Sequence, residues 1–358
     1  MTGLRPMADD PRLRVTLGRL TLPNPVICGS GEPVMTEAGI RAALAAGAAG
    51  VIAKSVNEKP AAAAQLDRAD YAWLDRSGAA VAHPVAGGSV FCRSGLSQRD
   101  YKEWYGAIAA LDREAAKNGQ FVAASIVLGG AEGAVELAGL ARAAGLRIFE
   151  LNVGAPHAPE AQAGVISLET EPAGLRRLVE AVRQAVGEMS LWVKLTGLAT
   201  NLPALAQAAV EGGAETVVMM GRFLAMVPAL EGDDPLLGSA AAYGGSWAVP
   251  IVCRYLALSR RRLGPAVPLV GTNGVRGGAD LLRMALAGAS AVEVLSVVME
   301  DGFGALTRII AETTALLETR RQTLTELVGA AADRLGSYGE QPLRPGRWRD
   351  FVPPQTLA

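Results

Sequence analysis

Seven short clusters of small, hydroxylic and cationic residues each follow directly on an apolar run. They are Cys28-Gly29-Ser30-Gly31, Lys54-Ser55, Asn152 through His157, Lys194-Leu195-Thr196, Met219-Met220-Gly221, Gly271-Thr272-Asn273-Gly274 and Leu295-Ser296. Two lysines emerging towards one cavity are informative, because an unpaired buried lysine is costly. They either serve a ligand or pair with neighbouring carboxylates. Glycines and hydroxyls at the last two clusters suit a phosphate, which backbone amides can approach closely there; any one of these glycines alone is equally a simple turn. His157 is one of two histidines, and an ordinary imidazole pKa of about 6.5 suits proton transfer near neutrality. It reads equally as a loop histidine bonded to backbone. Cys92 is a second proton-transfer candidate, or else a small buried side chain. Arg93 and Arg222 can grip a substrate carboxylate bidentately, or lie solvated on the surface. His83 reads as structural or exposed.

Composition narrows the classes. Half of the 358 residues are hydrophobic and the formal charge is −1, from 34 basic and 35 acidic side chains. Such a chain buries a large core, which excludes intrinsic disorder. The charge balance lacks the basic excess of a nucleic-acid footprint. Cys28, Cys92 and Cys253 stand far apart, with no metal, iron–sulfur or disulfide spacing. Apolar stretches are short and interrupted, so no membrane span is expected. Met1 to Arg14 has no apolar leader, and a cytoplasmic protein is the expectation.

The elements that must position these clusters are legible as a repeat. Four times an Ala/Leu helical run ends in Gly and leads into a β-branched run, at 43–55, 141–153, 209–220 and 285–296. The glycine supplies a left-handed helix cap, and the following run, apolar without alternation, reads as a strand covered on both faces. Eight strands are predicted at 24–28, 50–54, 121–127, 147–153, 191–195, 216–220, 267–271 and 291–295. Helical patterns follow them at 36–47, 101–117, 131–144, 171–187, 202–212, 248–263, 278–287 and 302–322. This is the pattern of an α/β TIM barrel, (β/α)8, with the chemistry at the carboxyl ends of the strands. The alternative, a doubly wound sheet, calls for G-x-G-x-x-G after the first strand, and Gly29–Pro33 lacks that spacing. Residues 13–24 alternate around Gly18 and read as an N-terminal β-hairpin closing the barrel bottom. A long inserted loop at about 56–100 is expected to cover the barrel mouth, or to form a surface excursion or oligomer contact. One domain spans 1–330, and 331–358 reads as a surface tail.

Six segments in register carry a resemblance: LGRLTLPNPVICGSG (17–31), VIAKS (51–55), ELNVGAPH (150–157), VKLTG (193–197), GTNGV (271–275) and AGASAVEVLS (287–296). Together they resemble the dihydroorotate dehydrogenase family, class 1 in particular, over residues 13–315. The resemblance implies an FMN-binding TIM barrel whose flavin oxidises or reduces a bond next to a carbonyl. Carried over by position, it implies that Ser30 and Gly31 lie under the flavin ring. It places Lys54 and Ser55 at flavin and substrate, and Lys194 beside the pyrimidine end of the ring, where positive charge favours the reduced anion. Gly244, Gly245, Gly274 and Ser296 match the loops that hold the phosphate, and Asn152 matches a residue shared by cofactor and substrate.

The substrate half departs from the family. Its catalytic cysteine or serine falls at Ala155, which has no proton to exchange. Cys92 and His157 stand where substrate asparagines are usual, and a site that loses such groups loses discrimination. The expectation is therefore an FMN-dependent oxidoreductase passing hydride between flavin N5 and a small polar substrate other than dihydroorotate. His157, Cys92 and Lys54 are the catalytic candidates; Asn152, His157 and Arg93 are the substrate contacts. Alternatives are a genuine dihydroorotate dehydrogenase using another base, a flavin-binding pseudoenzyme, and a tRNA dihydrouridine synthase-like enzyme. Expected partners are a small-molecule substrate and a second copy in a homodimer, with a redox partner subunit left open. No nucleic acid, membrane or metal is expected.

Overall fold

The structure is a computed structural model, and it describes residues 10–154 and 169–357. Eight parallel strands close a barrel: Val26–Cys28, Gly50–Ile52, Phe121–Val127, Ile148–Asn152, Ser190–Lys194, Thr216–Met219, Leu269–Thr272 and Ala289–Val294. Each pairs with the next in chain order, and Val292 opposite Val26 joins the last to the first. Phe121–Val127 and Ser190–Lys194 are buried at every residue, as apolar runs without alternation require.

Helices cover the outside, among them Glu37–Ala45, Tyr101–Ala116, Pro172–Val186 and Gly304–Arg320. Their starts are set locally. The Thr36 side chain accepts from the Gly39 N–H, and Asp100 accepts from the N–H groups of Lys102 and Glu103. Their ends match the repeat read from the sequence: Gly47, Gly145, Gly213 and Gly288 all have φ between +82° and +118°. The hairpin Val15–Leu17 and Leu20–Leu22 lies at the bottom. From it Arg19 donates to the Glu188 carbonyl at 2.9 Å and to Glu215 at 2.7 Å, just before the fifth and sixth strands.

The 56–100 stretch differs from the loop expected. Three of its segments, Asp70–Leu74, Ala80–Val81 and Ser89–Arg93, are strands of a five-stranded antiparallel sheet. Phe223–Ala225 and Ala241–Gly245, inserted after the sixth barrel strand, complete it. Leu74, Phe91 and Ala241 form a small core on one face, and Val90, Cys92 and Ala242 a second on the other. From Gly336 the chain runs almost wholly exposed to residue 357.

Candidate active site

A cavity enclosing about 1070 Å³ of empty space, part of it open to solvent, opens at the carboxyl ends of the strands. All eight strands send a residue to its wall, including Ser30, Lys54, Asn152, Lys194, Met220, Asn273 and Glu293, and the five-stranded sheet adds Val90, Cys92 and Gly244.

Both lysines face the cavity, and both are paired with neighbouring carboxylates. Lys54 Nζ donates to Glu32 at 3.0 Å, while Trp104 Nε1 holds the Lys54 carbonyl at 3.0 Å. Burial draws the Lys54 pKa below the ordinary lysine value, and the adjacent Glu32 charge only partly opposes it. Lys194 lies between two buried carboxylates, Glu150 at 3.5 Å and Glu293 closer still. Burial works against its charge, but Glu150 and Glu293 outweigh that and hold its pKa above the usual value. Burial, followed by the Glu150 charge, pushes the Glu293 carboxyl up to about 8. Glu293 Oε1 is buried and makes no hydrogen bond among the described residues.

Hydroxyls join this cluster to the opposite wall. Ser125 Oγ donates to Glu150 Oε1 at 2.9 Å, Ser55 Oγ lies 2.8 Å from Ser125 Oγ, and Ser30 Oγ lies 3.0 Å from Ser55 Oγ. Asn152 accepts from the Gly154 N–H at 3.1 Å with its Oδ1. At the mouth, the Arg222 guanidinium donates to Cys92 Sγ and, at 3.0 Å, to Ser94 Oγ. Burial raises the Cys92 pKa, although Arg222 and Lys54 pull the other way.

Gly244 and Gly274 bring bare backbone to the wall. A Cβ on Gly274 would stand 2.6 Å from the Gly245 carbonyl, and its φ of +90° favours glycine as well. Ser296 lines the cavity too, with Arg276 donating to its Oγ at 2.7 Å.

Three expected site residues stand elsewhere. Arg93 is turned away from the cavity: its guanidinium donates to the Arg68 and Leu237 carbonyls and to Ser239 Oγ. The reason is strand alternation, which gives Val90, Cys92 and Ser94 to the cavity and Phe91 and Arg93 to the far side. Gly31 is covered by the Leu295 side chain, and Gly245 packs against Ser89 and Trp247. His157, with Ala155, lies outside the described residues.

Glu32, Glu150, Glu293 and Ser125 were not singled out by sequence. A signal was available for Glu150 and Glu293, each the one acid of a mostly apolar, mostly buried strand. Such an acid is costly unless a cation meets it. Among the described residues no helix is long and apolar enough to cross a membrane.

A family model described as dihydroorotate dehydrogenase matches residues 106–317. The catalytic subunit of dihydroorotate dehydrogenase B (NAD(+)) from Methanocella arvoryzae is 27% identical over 323 residues, covering 89% of this chain and 98% of that protein. Dihydroorotate dehydrogenase A (fumarate) from Limosilactobacillus reuteri is 29% identical over 45% of this chain and 51% of its own length. The dihydroorotate dehydrogenase B catalytic subunit of Methanosarcina mazei is 32% identical over 42% and 47%.

Proposed function

The chain belongs to the dihydroorotate dehydrogenase family, and from that membership we propose an FMN-dependent oxidoreductase acting on a small, polar, carboxylate-bearing CH–CH or CH–NH donor other than dihydroorotate. The charge layout of the cavity carries the reading. Lys194 lies on the barrel side, and Lys54 and Arg222 lie at the mouth with, among the described residues, only Glu32 to balance them.

The lining suits FMN. Bare backbone at Gly244 and Gly274, together with the Ser296 hydroxyl backed by Arg276, suits its phosphate. Lys194 offers fixed positive charge, Ser30 and Ser55 offer hydroxyls beside the ring, and the unpartnered Glu293 Oε1 is available to a polar group on it. When bound, FMN supplies a two-electron centre whose N5 takes or gives hydride.

The chain's own residues do the rest. Arg222, held by Cys92 and Ser94, presents its fork to the substrate carboxylate, and Lys54, steadied by Glu32, adds a second cation. The five-stranded sheet covers the site and keeps water from the reacting atoms. Ala155 in place of the family's base, and the loss of asparagines, set the substrate apart from dihydroorotate. The assembly proposed with this function is a cytoplasmic homodimer handing electrons to a separate acceptor or subunit.

Anaerobic mixing of the FMN-loaded chain with L-dihydroorotate, 5,6-dihydrouracil, L-proline and succinate tests the reading. Bleaching of the flavin by L-proline or succinate faster than by dihydroorotate is the expected result. Faster bleaching by dihydroorotate overturns the substrate assignment, and failure to take up FMN overturns the whole reading. Bound FMN that no donor bleaches favours the second reading, flavin binding without turnover, which Ala155 supports.

A further inference from the structure

We propose that residues 336–357 form an arm that docks on the acidic turn at 228–235 of a second copy of this chain, each copy giving its arm to the other. The inference rests on the homodimer proposed above and supplies its contact surface.

The arm is folded locally but not fastened to the barrel. It makes three short turns, Tyr338–Glu340, Arg347–Phe351 and Pro354–Leu357. Beyond Leu335, every hydrogen bond among the described residues joins one arm residue to another. Its large side chains face water: Tyr338 is 98% exposed, Leu343 94% and Phe351 74%, and Trp348 is exposed as well. Apolar surface gathered in this way marks a contact region. The arm is also basic, with three arginines against two acids. Arg347 lies over the Phe351 ring at 5.2 Å and Arg349 over Trp348 at 5.5 Å. Arg347 pairs with Asp350, whereas Arg344 and Arg349 have no ion pair among the described residues.

The turn at 228–235 has the opposite charge. Ala229 N–H donates to the Asp234 carbonyl at 3.0 Å and Leu236 N–H to the Val227 carbonyl at 2.7 Å, which holds the tip out from the sheet. Glu231, Asp233 and Asp234 stand on that tip with no ion pair among the described residues. Leu230 beside them is 89% exposed, and Met226 on the approach is exposed too. Seven of the eleven exposed large apolar side chains among the described residues lie in the arm or in this turn and its approach. The bare apolar surface is therefore concentrated in two segments, one basic and one acidic.

The two segments belong to opposite ends of the barrel. The arm leaves from the last turn of the helix Val249–Leu263, where Arg260 pairs with Asp333 at 2.9 Å and Arg261 donates to the Leu335 carbonyl at 2.9 Å. That turn precedes the seventh strand and so lies at its amino end. The acidic turn follows the sixth strand, Thr216–Met219, at its carboxyl end. Within one chain both stay uncovered, whereas a two-fold pair covers both at once, arm on turn and turn under arm. Tyr338, Trp348 and Phe351 bring about 150–250 Å² each. Two arms then supply an area of the order that a specific interface needs, roughly 1,200–2,000 Å².

Sedimentation equilibrium on the full chain and on surface variants tests the pairing. The wild type is expected to be a dimer. Trp348→Ala with Phe351→Ala should weaken it about 100-fold, as loss of aromatic anchors does. Arg344→Glu with Arg349→Glu makes the arm acidic, and Asp233→Arg with Asp234→Arg makes the turn basic. Each of these two reversed chains alone sets like charge against like and should also dimerise about 100-fold more weakly. Mixed together, they should form a heterodimer, because each arm then meets a turn of opposite sign. Circular dichroism and FMN uptake should match the wild type throughout. A wild type that is monomeric overturns the homodimer itself. A wild-type dimer that none of these substitutions weakens leaves the homodimer standing and overturns the arm as its contact. Reversed chains that dissociate but do not recombine on mixing overturn the acidic turn as the arm's seat.

Discussion

The two charge clusters of the cavity are closed in opposite ways. Inside the barrel one cation, Lys194, is enclosed by two carboxylates, Glu150 and Glu293. At the mouth two cations, Lys54 and Arg222, have a single carboxylate between them among the described residues, Glu32. The inner cluster has its cation matched by carboxylates, with Glu293 Oε1 left unbonded among the described residues. The outer one carries surplus positive charge that an anion can balance. The first belongs to the eight strands, whereas the second depends on the sheet laid across them.

Breaking the inner cluster should have the largest effect. Lys194→Met leaves two acids buried without their cation, and such a loss costs about 3–5 kcal/mol. Urea unfolding should show a fall of that order, and an unchanged midpoint would contradict the picture of a closed cluster.

A smaller effect separates the clusters by pH. Glu293 is raised from 4.5 to about 8, so between those values the folded chain holds a proton that the unfolded chain has lost. Stability from this group is full below about 4.5 and is lost as pH rises through about 8, with a slope of at most about 1.4 kcal/mol per pH unit. Unfolding measured at pH 6 and pH 8.5 should show the decline in the wild type and less of it in Glu293→Gln.

At the mouth, Arg222→Gln should raise KM for a carboxylated donor about tenfold, the worth of one charge-assisted hydrogen bond at ~1.5 kcal/mol, while FMN stays bound. Equal loss of FMN and substrate would erase the distinction between the regions. The smallest effect is expected from Arg93→Ala. It should cost about 1 kcal/mol of stability through its bonds to the Arg68 and Leu237 carbonyls and leave KM alone. A raised KM would return Arg93 to the substrate.

The same contrast explains what could be read from sequence. The eight barrel strands were legible because each is a local run covered on both faces, and the glycine after a helix is a local signal too. The five-stranded sheet was not. Its central strand Ser89–Arg93 finds its partner in Ala241–Gly245, about 150 residues away, and its neighbour Asp70–Leu74 is only half-buried. Nothing within either segment announces the pairing. In the site, Lys54, Lys194, Ser30, Ser55 and Asn152 follow from their place at strand ends. Arg93 was read as a carboxylate grip from its guanidinium fork, but it follows Cys92 on one strand, and alternation sends the two to opposite faces. Glu150 and Glu293 announced themselves only as acids in apolar company, a signal that names a cost without naming the partner.

The sheet over the mouth is stitched from two insertions, one after the second strand and one after the sixth. Ser89–Arg93 and Ala241–Gly245 share backbone hydrogen bonds across the opening. The wall is therefore a joint possession: the strands that carry Cys92 and Gly244 come one from each insertion and pair with each other. A relative that changed one of them alone would inherit the barrel and its inner charges intact, but with a doorway that no longer closes on the same guest. Divergence of substrate in such a molecule has to move both insertions in step, while the machinery beneath stays still.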